Sequence, residues 1–365
     1  MICFACSEEQ TLMKETAAKL VQGAIADAAH QMDETGRIPD DAVRKFRELG
    51  TLLAAIPEEY GGYGMGNSPI MNSIILEELA AGDMGFAIAA TLPALFLMPV
   101  MDCGTDAQKA RHLADFAADP DGACGTLAIN EPRFRFDPYD LATTAVRKNG
   151  SYILNGTKCF VPLAETARRI MIAAALDGTN GLFIVDRNNP GLTVGAREKN
   201  LGLNSLATYP ITLTDCEIPT DDRLGGDASC DYDRLLQRTW TAIAAIGTGI
   251  CRASYEYAKN YAKEREQFGE AIASRQSIAF MIAEMAYEVD AMRLMTWKAA
   301  SALEAGRDAQ REAYLARIYA GEMAMKLTDY GVQVLGGHGY IREHPVERYY
   351  RNGRGIAILE GMAIA

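Results

Sequence analysis

Apolar positions recur with a helical period at the two ends of the chain and alternate in its middle third, a contrast that predicts three structural blocks. Near the start, Leu12, Leu20, Val21 and Ile25 share one helical face behind Ser7-x-x-Gln10, which has the form of a capping box. A second helix is predicted from Pro39-Asp40 to Gly50, and residues 56–62 read as a turn-rich connection. Two longer helical patterns follow, over 70–81 and 86–113.

The texture changes near Pro120-Asp121-Gly122. From 126 to about 225, β-branched and alternating segments are punctuated by the turn pairs Asn149-Gly150 and Asn155-Gly156. Strands are expected at 142–146, 152–154, 170–175, 182–185, 192–194 and 211–213. The helical period returns at Tyr232 and predicts helices over 232–263, 275–305 and 308–335, the last ended by Gly336-Gly337. Long helices joined by short turns imply a bundle. The expected fold is therefore α+β and multidomain: an N-terminal helical domain (1–121), a central β-domain (122–229) and a C-terminal helical bundle (230–365).

Composition narrows the function. The chain has 365 residues, 49% of them hydrophobic and 23% charged, values ordinary for a globular protein. Its formal net charge of −12 argues against nucleic acid as a partner. No apolar run approaches the roughly 20 residues needed to span a bilayer. The opening Met1-Ile2-Cys3-Phe4-Ala5-Cys6 lacks the basic leader of a signal peptide. Eight scattered cysteines suggest no disulfide framework, and the lone Cys3-x-x-Cys6 has no second pair, although a metal or redox role stays open for it. The four histidines show no metal-ligand spacing, so no metal site is expected. A reduced, cytoplasmic protein is the expectation. Gly61-Gly62-Tyr63-Gly64-Met65-Gly66 lacks the GxGxxG spacing, and there is no Walker A segment, so any dinucleotide is held in another way.

Several segments, in order, resemble the acyl-CoA dehydrogenase family. Gln333-Val334-Leu335-Gly336-Gly337-His338-Gly339-Tyr340, running on to Arg351, resembles the family's C-terminal signature. So does Arg265-x-Gln267-Phe268-Gly269 with Gln276. Pro57-Glu58-Glu59-Tyr60-Gly61-Gly62, Glu77-Glu78-Leu79-Ala80 and Leu154-Asn155-Gly156-Thr157-Lys158 resemble its N-terminal helices and middle domain. The resemblance runs from about residue 7 to 361. It implies a β-barrel-like middle domain, a fourth bundle helix beyond Pro345, and assembly as dimers or tetramers.

It also implies FAD-dependent α,β-desaturation of an acyl-CoA thioester, with a carboxylate as base and hydride passing to flavin N5. Electron-transferring flavoprotein is the implied acceptor. Glu360, in Leu359-Glu360-Gly361-Met362, matches the position of the base, and Gly361 that of a substrate-binding residue. A solvated glutamate on a frayed terminus is the alternative for Glu360, and part of a solvated charged face the alternative for Arg265. The family's other position for the base falls in Gln237-Arg238-Thr239-Trp240, which has no carboxylate. The resemblance assigns Arg265, Gln267, Phe268, Gln276, Gln333, Gly336 and Gly337 to the flavin of a neighbouring subunit, and Asn130 and Phe160 to the chain's own.

Departures from the family pattern fall on the second group. The loop after Asn130-Glu131-Pro132 carries Arg133, Phe134, Arg135 and Phe136 where small residues are usual, and these rings are expected to obstruct close approach to a pyrophosphate. Pro162 lacks the hydroxyl and N–H usual at its position. Asn204 and Met362 replace Arg and Thr, and the chain stops where relatives continue into another helix. The retained lent elements and eroded own elements leave two readings: a complete dehydrogenase, or a flavin-site-degenerate, structural or regulatory partner in a heteromer with a homologue. A related flavoprotein oxidase or monooxygenase on the same scaffold is a third.

Overall fold

Ser7 begins the first helix through a reciprocal cap: its Oγ accepts Gln10 N–H at 3.1 Å, and Gln10 Oε1 accepts Ser7 N–H at 2.9 Å. The computed structural model describes residues 5–120, 122 and 125–365, so Cys3 of the CxxC lies outside the described residues. The N-terminal block comprises α1 (Glu8–Leu20), α2 (Ala29–Thr35), α3 (Asp40–Arg47), α4 (Thr51–Ala55), α5 (Pro69–Gly82), α6 (Met84–Thr91), α7 (Ala94–Cys103) and α8 (Asp106–Ala118). The pattern over 86–113 is thus three helices rather than one. Pro93, lacking an N–H, separates α6 from α7, and Thr105 with Gln108 forms a second capping box that starts α8. Among the described residues no single helix is long and apolar enough to cross a membrane. The α6–α7 pair, bent by 45°, passes that test jointly, but its apolar side chains are packed in the core.

The middle block is a curled sheet of β1 (Gly125–Ala128), β2 (Thr144–Lys148), β3 (Ser151–Pro162), β4 (Arg169–Leu176), β5 (Thr179–Asp186), β6 (Leu192–Val194) and β7 (Thr208–Pro219). The order is β1-β4-β2-β3-β7-β6, with β5 paired to β4. Asn149 and Gly150, both at positive φ, make the expected hairpin turn between β2 and β3. Asn155-Gly156 is not a turn. It lies inside β3 at a register shift, where a Cβ on residue 156 would sit 2.7 Å from Thr143 Cα.

The C-terminal block holds α9 (Tyr232–Glu264), a hairpin of β8 (Glu266–Gln267) and β9 (Glu270–Ala271), α10 (Gln276–Glu304), α11 (Gln310–Leu335), α12 (Gly337–Tyr340) and α13 (Val346–Gly353). The fourth helix expected beyond Pro345 is only the eight-residue α13; the chain then runs as a non-helical, largely buried segment to residue 365. α5 is clamped to the bundle by charge. Buried Glu77 takes Arg293 at 2.9 Å and Arg252 at 3.3 Å, while Glu78 takes Arg252 at 2.7 Å. A lone buried carboxylate would be expensive, and these guanidiniums neutralise both.

One sequence expectation about cysteine is corrected. Cys103, ending α7, and Cys230, just before α9, form a disulfide with Cα atoms 5.1 Å apart at a sequence separation of 127. Spacing alone could not reveal a pair made by tertiary packing. Cys6, Cys159, Cys216 and Cys251 are free thiols.

Candidate active site

Glu360 sits where the chain leaves its last helical turns, between Leu359 and Gly361. It is 6% exposed, which excludes a solvated glutamate on a frayed end. Gly361 fixes that position. Its φ is +66°, and a Cβ there would lie 2.7 Å from Ile129 Cδ1, so residue 361 must be glycine for the strand end to pack against it. The carboxylate has one donor on each oxygen. Trp240 Nε1–H of α9 donates to Oε2 at 2.9 Å, and the Arg317 guanidinium of α11 pairs with Oε1. Desolvation pushes the carboxyl up to about 7, with Arg317 and Trp240 pulling it down and Asp137 adding to the rise.

A cavity of about 740 Å³ opens above Glu360, bounded by Trp240, Tyr139, Tyr314, Arg317 and Phe136. Trp240 is flanked edge-on by Tyr139 and Tyr314, ring centroids 6.2 and 5.5 Å away, so the wall beside the carboxylate is rigid and aromatic. On α9 the neighbouring polar side chains turn elsewhere. Gln237 bonds Asp308 at 2.9 Å, and Arg238 holds Asp102 and the carbonyl of Ala365. No residue at that position of α9 offers a second base.

The loop beyond β1 is anchored beneath the same cavity. Glu131 accepts N–H bonds from Ala142 and Thr143, each at 2.8 Å, and pairs with fully buried Lys158 at 2.9 Å. Desolvation lowers Lys158 to about 8 against the pull of Glu131. Asn130 is held beside this pair. Its carbonyl accepts Cys159 N–H at 2.9 Å, while its buried Nδ2 has no partner. Phe160 follows, at φ +53° on a register shift of β3, its N–H donating to Glu198 at 3.0 Å. It borders a smaller cavity of about 280 Å³ with Arg354, Ile358 and Leu359. The bulky loop residues do not fill these spaces as expected: Phe134 is 90% exposed with Arg135 over its ring, and Arg133 folds onto Asp140 at 3.2 Å. Of the four, Arg135 and Phe136 border the Glu360 cavity. Pro162 is buried, and its carbonyl accepts Thr126 Oγ1 at 2.9 Å, so it presents no donor.

A third region gathers the remaining candidates. Arg265, Gln267, Phe268, Gln333 and Gly336 line one cavity of about 730 Å³ formed by the end of α9, the β8–β9 hairpin and the end of α11. Gln276 starts α10 beside cavity-lining Ser277, and Gly337 follows Gly336. All seven are exposed, and Arg265 makes no ion pair among the described residues. None of them lines the Glu360 cavity. Within one chain this cradle therefore lies apart from the Glu360 cavity.

The sequence matches known families in the same three blocks. Residues 7–119 match the acyl-CoA dehydrogenase N-terminal domain, 126–216 its middle domain and 234–363 its C-terminal domain. The probable acyl-CoA dehydrogenase YngJ of Bacillus subtilis is 34% identical over 98% of this chain and 96% of its own length. This chain belongs to the acyl-CoA dehydrogenase family. The short-chain specific mitochondrial acyl-CoA dehydrogenase of Rattus norvegicus is 31% identical, covering 97% of this chain and 87% of the relative. Among solved structures, butyryl-CoA dehydrogenase from Megasphaera elsdenii superposes with a TM-score of 0.87 at 28% identity, covering 99% of this chain and 96% of that one. The family's three domains thus match this chain from α1 to the segment bearing Glu360. Arg317 was not among the sequence candidates. An arginine in the middle of a long amphipathic helix carries no local mark of its partner, and only the packing of residue 360 against α11 reveals it.

Proposed function

We propose that this acyl-CoA dehydrogenase family member desaturates a short acyl-CoA thioester between its α and β carbons, with Glu360 as the base and FAD as the hydride acceptor. The observation that carries the reading is the Glu360 carboxylate, buried at the floor of a large cavity and titrating near neutrality. A base is most useful when its pKa lies near the working pH, and burial brings this one there. Bound FAD would supply a two-electron acceptor for the hydride leaving the β carbon.

The chain's own residues fit such a group in two halves. Asn130, with its buried and partnerless amide, and Phe160 would meet the ring of the flavin held by the same chain. Arg265, Gln267, Phe268, Gln276, Gln333, Gly336 and Gly337 form an exposed cradle with an unpaired guanidinium suited to a pyrophosphate. Because that cradle lies apart from Glu360, we assign it to the flavin of a second protomer, and the working unit is at least a dimer. The likeness to short-chain specific and butyryl-CoA dehydrogenases favours a short acyl chain. Electron-transferring flavoprotein is the acceptor that the family membership suggests.

A second reading rests on Pro162 and the loop of Arg133 to Phe136. The chain would then lend its cradle to a catalytic homologue and hold no flavin itself. The visible spectrum of the purified protein separates the two. Stoichiometric flavin in the homo-oligomer, with turnover of butyryl-CoA, supports the complete enzyme; a colourless protein that gains flavin only with a co-expressed homologue supports the partner.

A further inference from the structure

An ionised carboxylate offers about four lone-pair positions, two on each oxygen. In Glu360 one position on each oxygen is taken, by Arg317 and by Trp240, and the residue lines the cavity. The two donors come from different helices of the bundle, α11 and α9. Such a pair fixes the plane of the carboxylate as well as its place.

Arg317 is not a surface cation that happens to reach Glu360. Its side chain is 11% exposed, Glu360 is its ion-pair partner among the described residues, and its Nε is buried without a bond. Other charged or titratable groups face Glu360 from each packed element. Asp137, Arg135 and Tyr139 stand on the loop after β1, Tyr232 on α9, and Arg311 and Tyr314 on α11. Among the charged ones, Arg317 alone contacts the carboxylate.

We propose that Arg317 is the positioning residue of the catalytic base: together with the Trp240 indole it aims the Glu360 carboxylate into the cavity and keeps it ionised once water is displaced. This rests on the desaturase reading and deepens it. An acyl chain entering the cavity removes solvent, which by itself drives a carboxylate toward its neutral, useless form. A fixed guanidinium on Oε1 opposes that drift. The opposite oxygen, held only by a neutral indole N–H, keeps more basicity for the incoming proton.

The test compares the holoprotein with Arg317→Met and Arg317→Lys, using butyryl-CoA and a dye acceptor across pH 5.5–9.5. Arg317→Met is expected to move the acid limb of kcat/KM upward by about one pH unit, giving about fivefold lower kcat/KM at pH 7 that recovers in base. Arg317→Lys keeps the charge without the planar fork and is expected to restore most of the shift. An infrared titration of the Glu360 carboxyl in cofactor-stripped protein, referenced to Glu360→Gln, reads the same displacement without turnover. An unchanged acid limb and unchanged infrared titration in folded Arg317→Met overturn the assignment, as does a rise in KM alone. If no form turns over acyl-CoA, the desaturase reading fails, and the infrared shift still decides whether Arg317 controls Glu360.

Discussion

The Glu360 cavity and the Arg265 cradle are about equal in volume and opposite in construction. Around Glu360 the innermost charged groups are tied within the chain: Arg317 and Trp240 hold the carboxylate, Lys158 holds Glu131, and Arg238 holds Asp102 and Ala365. Around Arg265 the side chains are exposed, the guanidinium is free of carboxylates, and Phe268 is 92% exposed. A site finished within one chain can bury its charges because their partners are local. A surface completed by another molecule must keep its donors and its rings open until that molecule arrives. The contrast predicts that substitutions in the first region weaken the isolated chain, whereas those in the second weaken its binding without weakening the chain itself.

The largest effect is expected from Glu360→Gln. Removing a general base costs on the order of 10³-fold in turnover. The amide keeps the shape and can still accept from Trp240, so flavin content should stay at the wild-type level. In the wild type kcat/KM should rise with pH through about 7, because only the ionised carboxylate accepts a proton. A pH profile flat from 5.5 to 8, or a Glu360→Gln variant that retains turnover, removes Glu360 from the chemistry and reduces the first region to a structural pocket.

Gly361→Ala probes the same region through packing. The new methyl must sit at positive φ and against Ile129 Cδ1, for a combined cost of about 2–4 kcal/mol. Thermal melting should report the loss, and adding Ile129→Ala should recover part of it by opening the space. An unchanged melting temperature in the single variant would mean that the segment around Glu360 is looser than its burial implies.

The two regions also differ in how far sequence could reach them. The helix–sheet–helix order was legible because apolar periodicity is a local property, and the long helices α9, α10 and α11 fall within two residues of their expected ends. The split of 86–113 at Pro93 and Gly104 was missed, since a strongly apolar run hides the punctuation of two single residues. Asn155-Gly156 misled for a related reason: the pair favours a turn, yet Gly156 is there to let Thr143 approach. Residues of the cradle could be marked from sequence because they cluster within two short stretches. The tie of Arg317 to Glu360, the orphaned amide of Asn130 and the Cys103–Cys230 bond are all tertiary, and no local pattern encodes them.

Arg265→Met shifts attention to the cradle. Losing a charge-assisted contact to phosphate should weaken FAD binding about 10- to 100-fold. The cofactor-free protein should melt at the wild-type temperature, since Arg265 braces nothing in its own chain. A titration of apoprotein with FAD measures the first, and calorimetry the second. A marked fall in apoprotein stability would show that Arg265 is part of a structural network and would erase the contrast between the regions.

The smallest effect carries two opposite signs. Phe268 and Gly269 are the two loop residues of the β8–β9 hairpin, and both have positive φ, at 57° and 85°. Two-residue hairpins of that shape prefer Asn-Gly, whereas an aromatic residue in the left-handed region carries strain of about 1 kcal/mol. Phe268 therefore holds an unfavourable backbone position and exposes its ring, with Arg275 lying 5.8 Å from the ring centroid. In the isolated chain the exposed Arg275 contact offsets only part of that. Phe268→Asn should raise the stability of the cofactor-free protein by about 0.5–1 kcal/mol while lowering flavin occupancy. If stability and occupancy instead fell together, the ring would be serving its own fold, and the cradle would have to be read as an ordinary surface turn.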